Sequence, residues 1–370
     1  MNDTPADGAL SHEDGHGPAH DTFSQRRAML AGLGGLAAGA FMARSAQAGP
    51  LSPPPGPIEP TPGPEPRIPI NQENTPGNGI NTYLISQPGS YYLTENLLGE
   101  PGKSGIRIES NNVTLDLMGF ECLGVADSLT GIDQPAFLPG ITIRNGTVSG
   151  WGQDGIFARI DSGLIEGVHA HSNGGSGIRA LGRSVIVRAC SAYANDFSGI
   201  NVSQWSTIES CTAIENGSVG IECGGNSLIT GCTAVGNGEG GIKAQLGCVV
   251  TGCSARGNLG SGIEVRGRCL VLNNNLISNT SGPQIGAGIL AFAGWNRLDG
   301  NNCALNQVGI SCPQPTNILA RNTCSQNATN WDIASGNHCL VISAAAGGAI
   351  SGNSGGVSLG STDPNANYTH

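Results

Sequence analysis

One dipeptide, Gly-Ile, recurs along most of the chain at nearly even spacing, and this repeat restricts the fold more than any other feature. Successive isoleucines are separated by 26, 24, 22, 22, 21, 21, 21, 26 and 21 residues. A fixed period of this length indicates a stack of similar structural units. The isoleucines are Ile106, Ile132, Ile156, Ile178, Ile200, Ile221, Ile242, Ile263, Ile289 and Ile310.

Each repeat has the pattern of short strands and no helical period. A small or apolar residue follows the isoleucine by two positions, and a second apolar pair comes about seven residues later. That alternation is typical of short, half-buried strands. Leucine-rich repeats have a similar length but require a leucine frame that is absent here. We therefore predict an all-β fold, a single-stranded parallel β-helix (solenoid) of about ten to twelve turns.

Composition and charge exclude several other classes of protein. The chain has 59 glycines and only 12% charged residues, about half the usual charged fraction. Coiled coils and charged helical bundles need more charge than this. The net charge of −10 argues against a nucleic-acid partner, because nucleic-acid-binding surfaces are usually basic.

Asparagine and cysteine recur with the same period as the isoleucines. Turns of a β-helix stack about 4.8 Å apart, so residues one period apart become neighbours. An asparagine near the end of each repeat predicts a ladder of side-chain amides that satisfies buried backbone groups. The cysteines predict a column that cannot converge on a tetrahedral zinc ion. We interpret them as buried thiols, and disulfides between adjacent turns stay open as the alternative. The columns are Asn173, Asn195, Asn216, Asn237, Asn258, Asn279, Asn306 and Asn327, and Cys190, Cys211, Cys232 and Cys253.

The N-terminus has the features of an export signal. Arg26 and Arg27 precede a mildly apolar stretch, and Ala46-Gln47-Ala48 has the small-x-small pattern of a cleavage site. Residues 1–48 resemble a cleaved twin-arginine signal, with an ordinary secretory signal or an uncleaved anchor as alternatives. The apolar stretch is shorter than the roughly 20 residues of a spanning helix. We expect a periplasmic or secreted bacterial protein with no transmembrane helix after cleavage.

The remaining boundaries follow from composition and repeat. Residues 49–79 are proline-rich and are expected to form an extended linker. Residues 80–104 are expected to cap the N-terminal end, and residues 105–360 to form the parallel β-helix. Residues 361–370 are expected to be a C-terminal tail without fixed structure.

The Gly-Ile repeats, apolar pairs and asparagines of residues 105–333 resemble the right-handed parallel β-helix proteins of the pectate-lyase-like superfamily. The resemblance implies a right-handed helix and an exported protein. It also implies one of several activities on polysaccharides, or none, since the superfamily includes lyases, uronan epimerases and non-catalytic proteins. The Gly-His-Gly motif of its glycoside hydrolases occurs only at residues 15–17, within the expected signal. A polysaccharide lyase or uronan epimerase is therefore favoured over a hydrolase, with calcium left open as a cofactor.

The repeat also predicts which side chains could form a site, because the residue after each isoleucine faces outward. Arginines suit uronate carboxylates, aromatic rings suit sugars, and an aspartate could act as a base or bind a cation. The catalytic candidates are Asp154, Arg159 and Arg179. The candidates for substrate binding are Trp151, Phe157, Asp161, Arg183, Tyr193 and Trp205.

Two further interpretations of these polar residues compete with a site. Asp161 with Arg183, and the series Glu222, Lys243 and Glu264, could be charge-paired ladders that only stabilise neighbouring strands. His169 and His171 lack a third metal ligand. The sequence thus predicts a protein that binds, and cleaves or epimerises, an acidic polysaccharide. A non-catalytic structural or surface-interaction protein is the alternative.

Overall fold

The computed structural model describes residues 67–280, 286–343, 351–352 and 363–369. The expected export signal, residues 49–66 of the expected linker and most of the Gly/Ser-rich stretch that begins at Gly347 lie outside the described residues. Within the described part, the regular secondary structure consists of β-strands. No described helix is long and apolar enough to cross a membrane.

Thirty-seven strands follow one another along the chain. The first eleven are Ile68–Pro69 (β1), Asn81–Ile85 (β2), Gly89–Tyr92 (β3), Leu97–Leu98 (β4), Ser104–Ile108 (β5), Val113–Asp116 (β6), Glu121–Leu123 (β7), Ile132–Pro139 (β8), Thr142–Ser149 (β9), Ile156–Asp161 (β10) and Leu164–His171 (β11). The next fifteen are Ile178–Ala180 (β12), Ile186–Arg188 (β13), Ser191–Tyr193 (β14), Ile200–Val202 (β15), Thr207–Glu209 (β16), Thr212–Ile214 (β17), Ile221–Cys223 (β18), Leu228–Thr230 (β19), Thr233–Val235 (β20), Ile242–Ala244 (β21), Val249–Thr251 (β22), Ser254–Arg256 (β23), Ile263–Val265 (β24), Leu270–Leu272 (β25) and Asn275–Ile277 (β26). The last eleven are Ala287–Ala291 (β27), Arg297–Asp299 (β28), Asn302–Ala304 (β29), Val308–Cys312 (β30), Ile318–Ala320 (β31), Thr323–Ser325 (β32), Thr329–Ile333 (β33), His338–Cys339 (β34), Val341–Ser343 (β35), Ser351–Gly352 (β36) and Asn367–Thr369 (β37).

The strands form two parallel sheets that wind as a solenoid. The smaller sheet has twelve strands, one per turn, in the order β2-β5-β8-β10-β12-β15-β18-β21-β24-β27-β30-β33. The other 25 strands form the larger sheet, in which β35 and β36 pair antiparallel. In the smaller sheet, the isoleucines of successive repeats are direct partners, as Ile221 is with Ile200 and Ile242. The predicted all-β parallel solenoid of about ten to twelve turns is confirmed, with twelve strands in the smaller sheet.

The core is built from the inward positions of every turn. The repeating isoleucines are fully buried, and the residues beside them in β12, Arg179, and in β18, Glu222, are half-buried on the outer face. The glycine before each isoleucine serves a close approach. A Cβ on Gly177 would lie 2.7 Å from Asn195 Nδ2 and 2.9 Å from the carbonyl oxygen of Gly199.

The predicted asparagine ladder is present over its full length. Asn195 Nδ2 donates to Asn216 Oδ1 at 2.9 Å and to the carbonyl of Ala170 at 3.0 Å, while the backbone N–H of Asn195 also donates to Asn216 Oδ1 at 3.2 Å. The same amide-to-amide bond links the remaining members down to Asn327. Buried backbone groups at this bend are therefore satisfied from within the stack.

The predicted cysteine column is also present, and its thiols are buried and form no disulfide in the described structure. The residues that follow its members, among them Ser191, Thr212 and Thr233, pair in register between neighbouring turns. Every cysteine in the described part of the chain has a free thiol, and only Cys339 is not fully buried. The thiols therefore fill the interior as small apolar groups.

At two places the structure differs from the expected boundaries. Strand β1 lies within the expected linker and pairs Ile68 with Tyr91 of β3. Strand β37 lies within the expected tail and pairs Tyr368 with Thr323 of β32. Both short strands continue the stacking of the larger sheet, because a solenoid leaves unpaired backbone groups at each end that a further strand can satisfy.

Candidate functional site

A cleft of about 300 Å3 opens on the outer face of the smaller sheet, near its N-terminal end. Its charged row consists of neighbours in four successive strands: Arg107 pairs in register with Asp133, Asp133 with Phe157, and Phe157 with Arg179. The sheet spacing places each of these side chains about 4.8 Å from the next. Asp154, Gln153, Thr130, Ser104 and Asn81 also contribute to the wall.

The first ion pair of the cleft joins Arg107 to Asp133. Arg107 Nη1 lies 2.7 Å from Asp133 Oδ2, and its Nε lies 3.1 Å from Glu109 Oε1. Asp133 Oδ1 has no hydrogen-bond partner among the described residues. Burial raises the pKa of Asp133 above its usual range, against the lowering effect of Arg107. The Asp133 carboxylate therefore binds a proton more readily than usual. Its Oδ1 atom is not engaged by another described residue.

The second ion pair joins Asp154 to Arg179, and both carboxylate oxygens of Asp154 have a partner. Asp154 Oδ2 lies 2.9 Å from Arg179 Nη2, and Oδ1 accepts the backbone N–H of Ser176 at 2.7 Å. Burial raises the pKa of Asp154, although the bond from Ser176 and the charge of Arg179 lower it. With both oxygens engaged, Asp154 is placed to orient Arg179 and the adjacent turn. Each carboxylate oxygen can accept a second hydrogen bond, so the role as a base that the sequence suggested stays a prediction, although Ser176 and Arg179 lower the affinity of Asp154 for a proton.

Two arginines bracket the ring of Phe157. Arg179 Cζ lies 4.6 Å from the ring centroid and Arg159 Cζ lies 5.7 Å from it. Arg159 also lies 5.5 Å from the ring of Phe137 and has no carboxylate partner among the described residues. The Nε atoms of both arginines are buried without a hydrogen-bond partner. Aromatic faces thus hold two guanidinium groups whose donors are not all used.

Trp151 does not take part in this surface, and the prediction that it binds substrate is wrong. Only 1% of the residue is exposed, and its indole N–H donates to the carbonyl of Cys122 at 2.9 Å. A Cβ added to Gly105 would lie 2.8 Å from the indole ring. The missing side chains of Gly105 and its neighbour Gly131 leave a space that the indole fills, so this aromatic residue belongs to the core.

Arg159 contacts Phe157 but does not line the cleft. The remaining predicted residues do not line it either. Asp161 Oδ1 accepts the backbone N–H of Arg183 at 3.0 Å, and the two side chains form no ion pair in the described structure. The guanidinium of Arg183 instead lies 5.5 Å from the ring of Trp205. Tyr193 is exposed on β14 of the larger sheet and faces another surface. The structure therefore brings together Asp154, Phe157, Arg159 and Arg179 and leaves the rest apart.

The described residues include no group of three or more His, Cys, Asp or Glu side chains that could hold a metal ion. His169 Nδ1 lies 2.6 Å from Ser191 Oγ. At the cleft, Asp133 and Asp154 each have an arginine as counter-charge, which leaves poor ligands for the calcium ion that the sequence left open. Arginine supplies the positive charge there.

Comparison with known proteins identifies the fold family. The model of the right handed beta helix region matches residues 94–248 and 128–279, which together cover half of the chain. The chain belongs to the right-handed β-helix family. No curated protein sequence matches the chain.

Several solved structures are similar to this member of the family. The A-module of the mannuronan C-5 epimerase AlgE6 of Azotobacter vinelandii superimposes with a TM-score of 0.54 at 17% identity, over 74% of this chain and 86% of that one. The AlgE4 A-module of the same organism gives 0.47 at 15% identity, over 68% and 90%. A mutant of the periplasmic alginate epimerase AlgG gives 0.46 at 12% identity, over 73% and 81%. At these identities the similarity establishes the fold alone.

Sequence reasoning missed the role of Arg107 and Asp133 in the cleft. Both occupy the position after the repeating isoleucine, the same register as Phe157 and Arg179. The repeat therefore held the signal. The repeat did not show how far the N-terminal turns extend, because side chains that precede a strand, such as Leu129 and Thr130 before β8, also form the wall of the cleft.

Proposed function

We propose that this protein binds an acidic polysaccharide, with a uronate residue held in the cleft beside Phe157. The observation that carries the proposal is the pair of guanidinium groups on one aromatic ring: Arg179 and Arg159 both contact Phe157, and Arg159 has no ion-pair partner among the described residues. Guanidinium groups pair with carboxylates in bidentate fashion, and an apolar ring face suits the carbon face of a sugar. Similarity in fold to the AlgE6 module, a mannuronan C-5 epimerase, is in keeping with such a ligand.

The setting of the protein follows from the N-terminal sequence. We propose that residues 1–48 direct export and are removed, and that the mature protein works in the periplasm or outside the cell. Polymers of uronic acids are too large to be taken up readily, so an exported binder meets them where they occur. The proline-rich residues before the β-helix would keep it at a distance from whatever precedes it.

A second candidate function is proton transfer at the bound uronate, and Asp133 is the observation that favours it. Its raised pKa and unengaged Oδ1 suit a group that accepts and returns a proton. If Asp133 removes the proton from the carbon next to the uronate carboxylate, whose charge the arginines neutralise, a proton delivered by water to the opposite face of that carbon gives an epimer, and Asp133 then releases its proton to solvent. Departure of the neighbouring glycosidic oxygen, which takes a proton from water, instead gives an unsaturated sugar. This candidate assigns the role of base to Asp133 instead of Asp154, because both oxygens of Asp154 already have a partner.

Binding is tested with the mature protein and four polymers, namely pectate, alginate, a glycosaminoglycan and neutral dextran as the uncharged control. Titration calorimetry should show binding to at least one acidic polymer and none to dextran. Arg179→Gln should weaken that binding at least about tenfold, since it removes a charge-assisted contact worth more than about 1.4 kcal/mol. The matched control is Arg188→Gln: Arg188 forms an equivalent 2.9 Å ion pair with Glu166 and is 43% exposed, against 42% for Arg179, but belongs to the larger sheet.

Proton transfer is tested with the same polymers, with and without calcium. Unsaturated uronates are followed by ultraviolet absorbance, and epimerisation by incorporation of deuterium from heavy water into the polymer. Asp133→Asn should abolish either product while binding persists. Equal affinity of wild type and Arg179→Gln, or no affinity for any acidic polymer, would contradict the binding proposal. Binding without product in wild type would leave a non-catalytic binding protein.

A further inference from the structure

From β12 to β33, the turn that follows each strand of the smaller sheet contains one residue in the left-handed region of backbone space. Backbone hydrogen bonds connect these residues to the equivalent turn of the next repeat, as from Trp205 N to Gly225 O and from Arg268 N to Gly294 O. Glycine and asparagine suit this conformation best because it crowds the Cβ atom. The successive occupants are Ser184, Trp205, Asn226, Gly247, Arg268, Trp295, Thr316 and Gly336.

Two of the residues at this position are tryptophans, Trp205 and Trp295. Trp205 has φ 59° and is 48% exposed, and Trp295 has φ 65° and is 70% exposed. Each combines an unfavourable backbone conformation for a bulky residue with an apolar side chain left in water. Met118 and Leu305 show the same combination elsewhere in the chain, but an exposed aromatic ring also offers a flat face on which a sugar can stack.

The surroundings of the tryptophans supply charge and further aromatic surface. Arg183 lies over the ring of Trp205, and Arg266 lies 4.7 Å from the ring of Phe292, which is also exposed. Beside Trp295, a shallow depression of about 470 Å3 is lined by Phe292, Gln314 and Thr316, among others. Arg268 is exposed and has no ion-pair partner in the described structure. The chain as a whole is negatively charged, so this edge is a local exception.

The two tryptophans lie along the axis of the solenoid at a distance that suits a polymer. Three turns, those of Asn226, Gly247 and Arg268, separate them, and four steps of about 4.8 Å give about 19 Å. A single sugar cannot contact both rings, whereas an extended chain of several sugars can. We propose that this edge, defined by Arg183, Trp205, Arg268 and Trp295, is a second binding site that holds an acidic polysaccharide chain lengthwise.

In this site the sugar faces stack on Trp205 and Trp295 and the arginines contact the carboxylates. The ligand class rests on the proposed function of the cleft, whereas the location and the requirement for length do not. A short oligosaccharide fills the cleft alone, while a polymer also engages the edge. The edge therefore raises the affinity for long chains through a second attachment of the same molecule.

The experiment replaces each tryptophan with the residue that the fold itself uses at this position. Trp205→Asn and Trp295→Asn copy Asn226, which has φ 57°. In the double variant, affinity for the polymer should fall at least about tenfold, affinity for a tetrasaccharide of the same sugar should stay unchanged, and the melting temperature should stay the same or rise. Quenching of tryptophan fluorescence by the polymer should be lost as well, although Trp151 and Trp331 remain.

The matched control is Phe197→Ser. Phe197 is 61% exposed in a turn on the other side of the smaller sheet, and Ser218 stands at its place in the next turn. This variant should bind the polymer as wild type does. Unchanged polymer affinity in the double variant, or a melting temperature lowered by several degrees, would overturn the proposal, the latter by assigning the tryptophans a structural role.

Two further outcomes separate this proposal from its neighbours. If Arg179→Gln loses tetrasaccharide binding while the two tryptophan substitutions still lower its affinity for the polymer, the edge and the cleft are separate sites. If wild type does not bind the tetrasaccharide, the result counts against the cleft and not against the edge. Vesicles of phosphatidylglycerol form the last arm. If wild type binds them and the double variant does not, while polymer affinity is equal in both, the edge is a membrane-contact surface and the carbohydrate assignment fails.

Discussion

One internal column of the β-helix changes its chemistry halfway along, and its two halves meet the same requirement with different side chains. Every member is buried, and all except Asn367, the first residue of β37, lie at the short bend between two strands of the larger sheet. The sulfur half consists of Cys190, Cys211, Cys232 and Cys253, and the amide half consists of Asn274, Asn301, Asn322 and Asn367.

Both halves donate to equivalent backbone carbonyls of the preceding turn, but the amide half does more. Cys232 Sγ lies 3.6 Å from the carbonyl of Ile208, whereas Asn301 Nδ2 lies 2.9 Å from that of Val271. Asn301 Oδ1 also accepts the backbone and side-chain N–H groups of Asn274 at 3.0 and 2.9 Å. A thiol is a weak donor and a weak acceptor. The sulfur half therefore depends on burial, and the amide half on a continuous chain of hydrogen bonds.

The largest expected difference between the halves appears at alkaline pH. The neighbouring Cys190 thiol, followed by burial, raises the pKa of Cys211 to about 12, and Cys211 and burial do the same for Cys232. A raised folded-state pKa leaves stability intact below the unfolded value, about 8.5, and removes it as pH rises toward the folded value. Each such thiol should lower the free energy of unfolding by about 1.4 kcal/mol per pH unit above 8.5. Cys190, whose pKa contact with Cys211 lowers, offsets part of this.

Urea unfolding at pH 7.5 and pH 10 measures the effect. Wild type should lose more stability between the two pH values than the double variant Cys211→Ala/Cys232→Ala. Tyr91, whose pKa burial raises, is present in both proteins, so its contribution cancels in the comparison. Equal losses would mean that the sulfur half does not keep its thiols protonated.

Single substitutions should separate the halves at neutral pH. Asn301→Ala removes the partner of the Val271 carbonyl and of the Asn274 backbone N–H. Each orphaned buried group costs about 1–3 kcal/mol, so a loss of about 3 kcal/mol is expected. Cys232→Ala removes a small apolar group with a weak hydrogen bond and should cost about 1 kcal/mol. The midpoints of denaturant unfolding provide the measurement. A loss of stability for Cys232→Ala as large as that for Asn301→Ala would mean that the sulfur half and the amide half stabilise the fold equally at this position.

The repeat explains why the fold could be predicted from the sequence. Residues such as Ile221 and Asn216 depend on their neighbours one period away, so their spacing alone determines which residues meet. The change from sulfur to amide did not emerge, although Asn274 follows Cys253 by one period of 21 residues, because a search for one residue type ends where the side chain changes. The six extra residues between Asn274 and Asn301, which are 27 apart, then hide the rest of the column from a search for one fixed period.

The candidate site was predicted only in part, because the outward direction of a side chain says little about its partners. Phe157 and Arg179 follow the register and lie in the cleft. Trp151 lies in a turn before its strand, where side chains do not alternate between inward and outward positions. Glycines in neighbouring turns leave the space that its indole ring fills. The engagement of Asp154 by the Ser176 N–H depends on turn geometry that the repeat does not specify.

The smallest expected effect tests whether the boundary between the halves can move by one turn. The N–H of Cys253 already donates to Asn274 Oδ1 at 2.8 Å, and its Sγ lies 3.8 Å from the carbonyl of Ile229. In Cys253→Asn the amide would reach both acceptors, so the free energy of unfolding should stay within about 1 kcal/mol of wild type. The matched variant Cys211→Asn has sulfur on both sides and should lose about 2 kcal/mol, because part of its amide lacks a partner. Equal losses in the two variants, measured by denaturant unfolding, would show that space inside the bend, rather than a hydrogen-bonding neighbour, decides where sulfur gives way to amide.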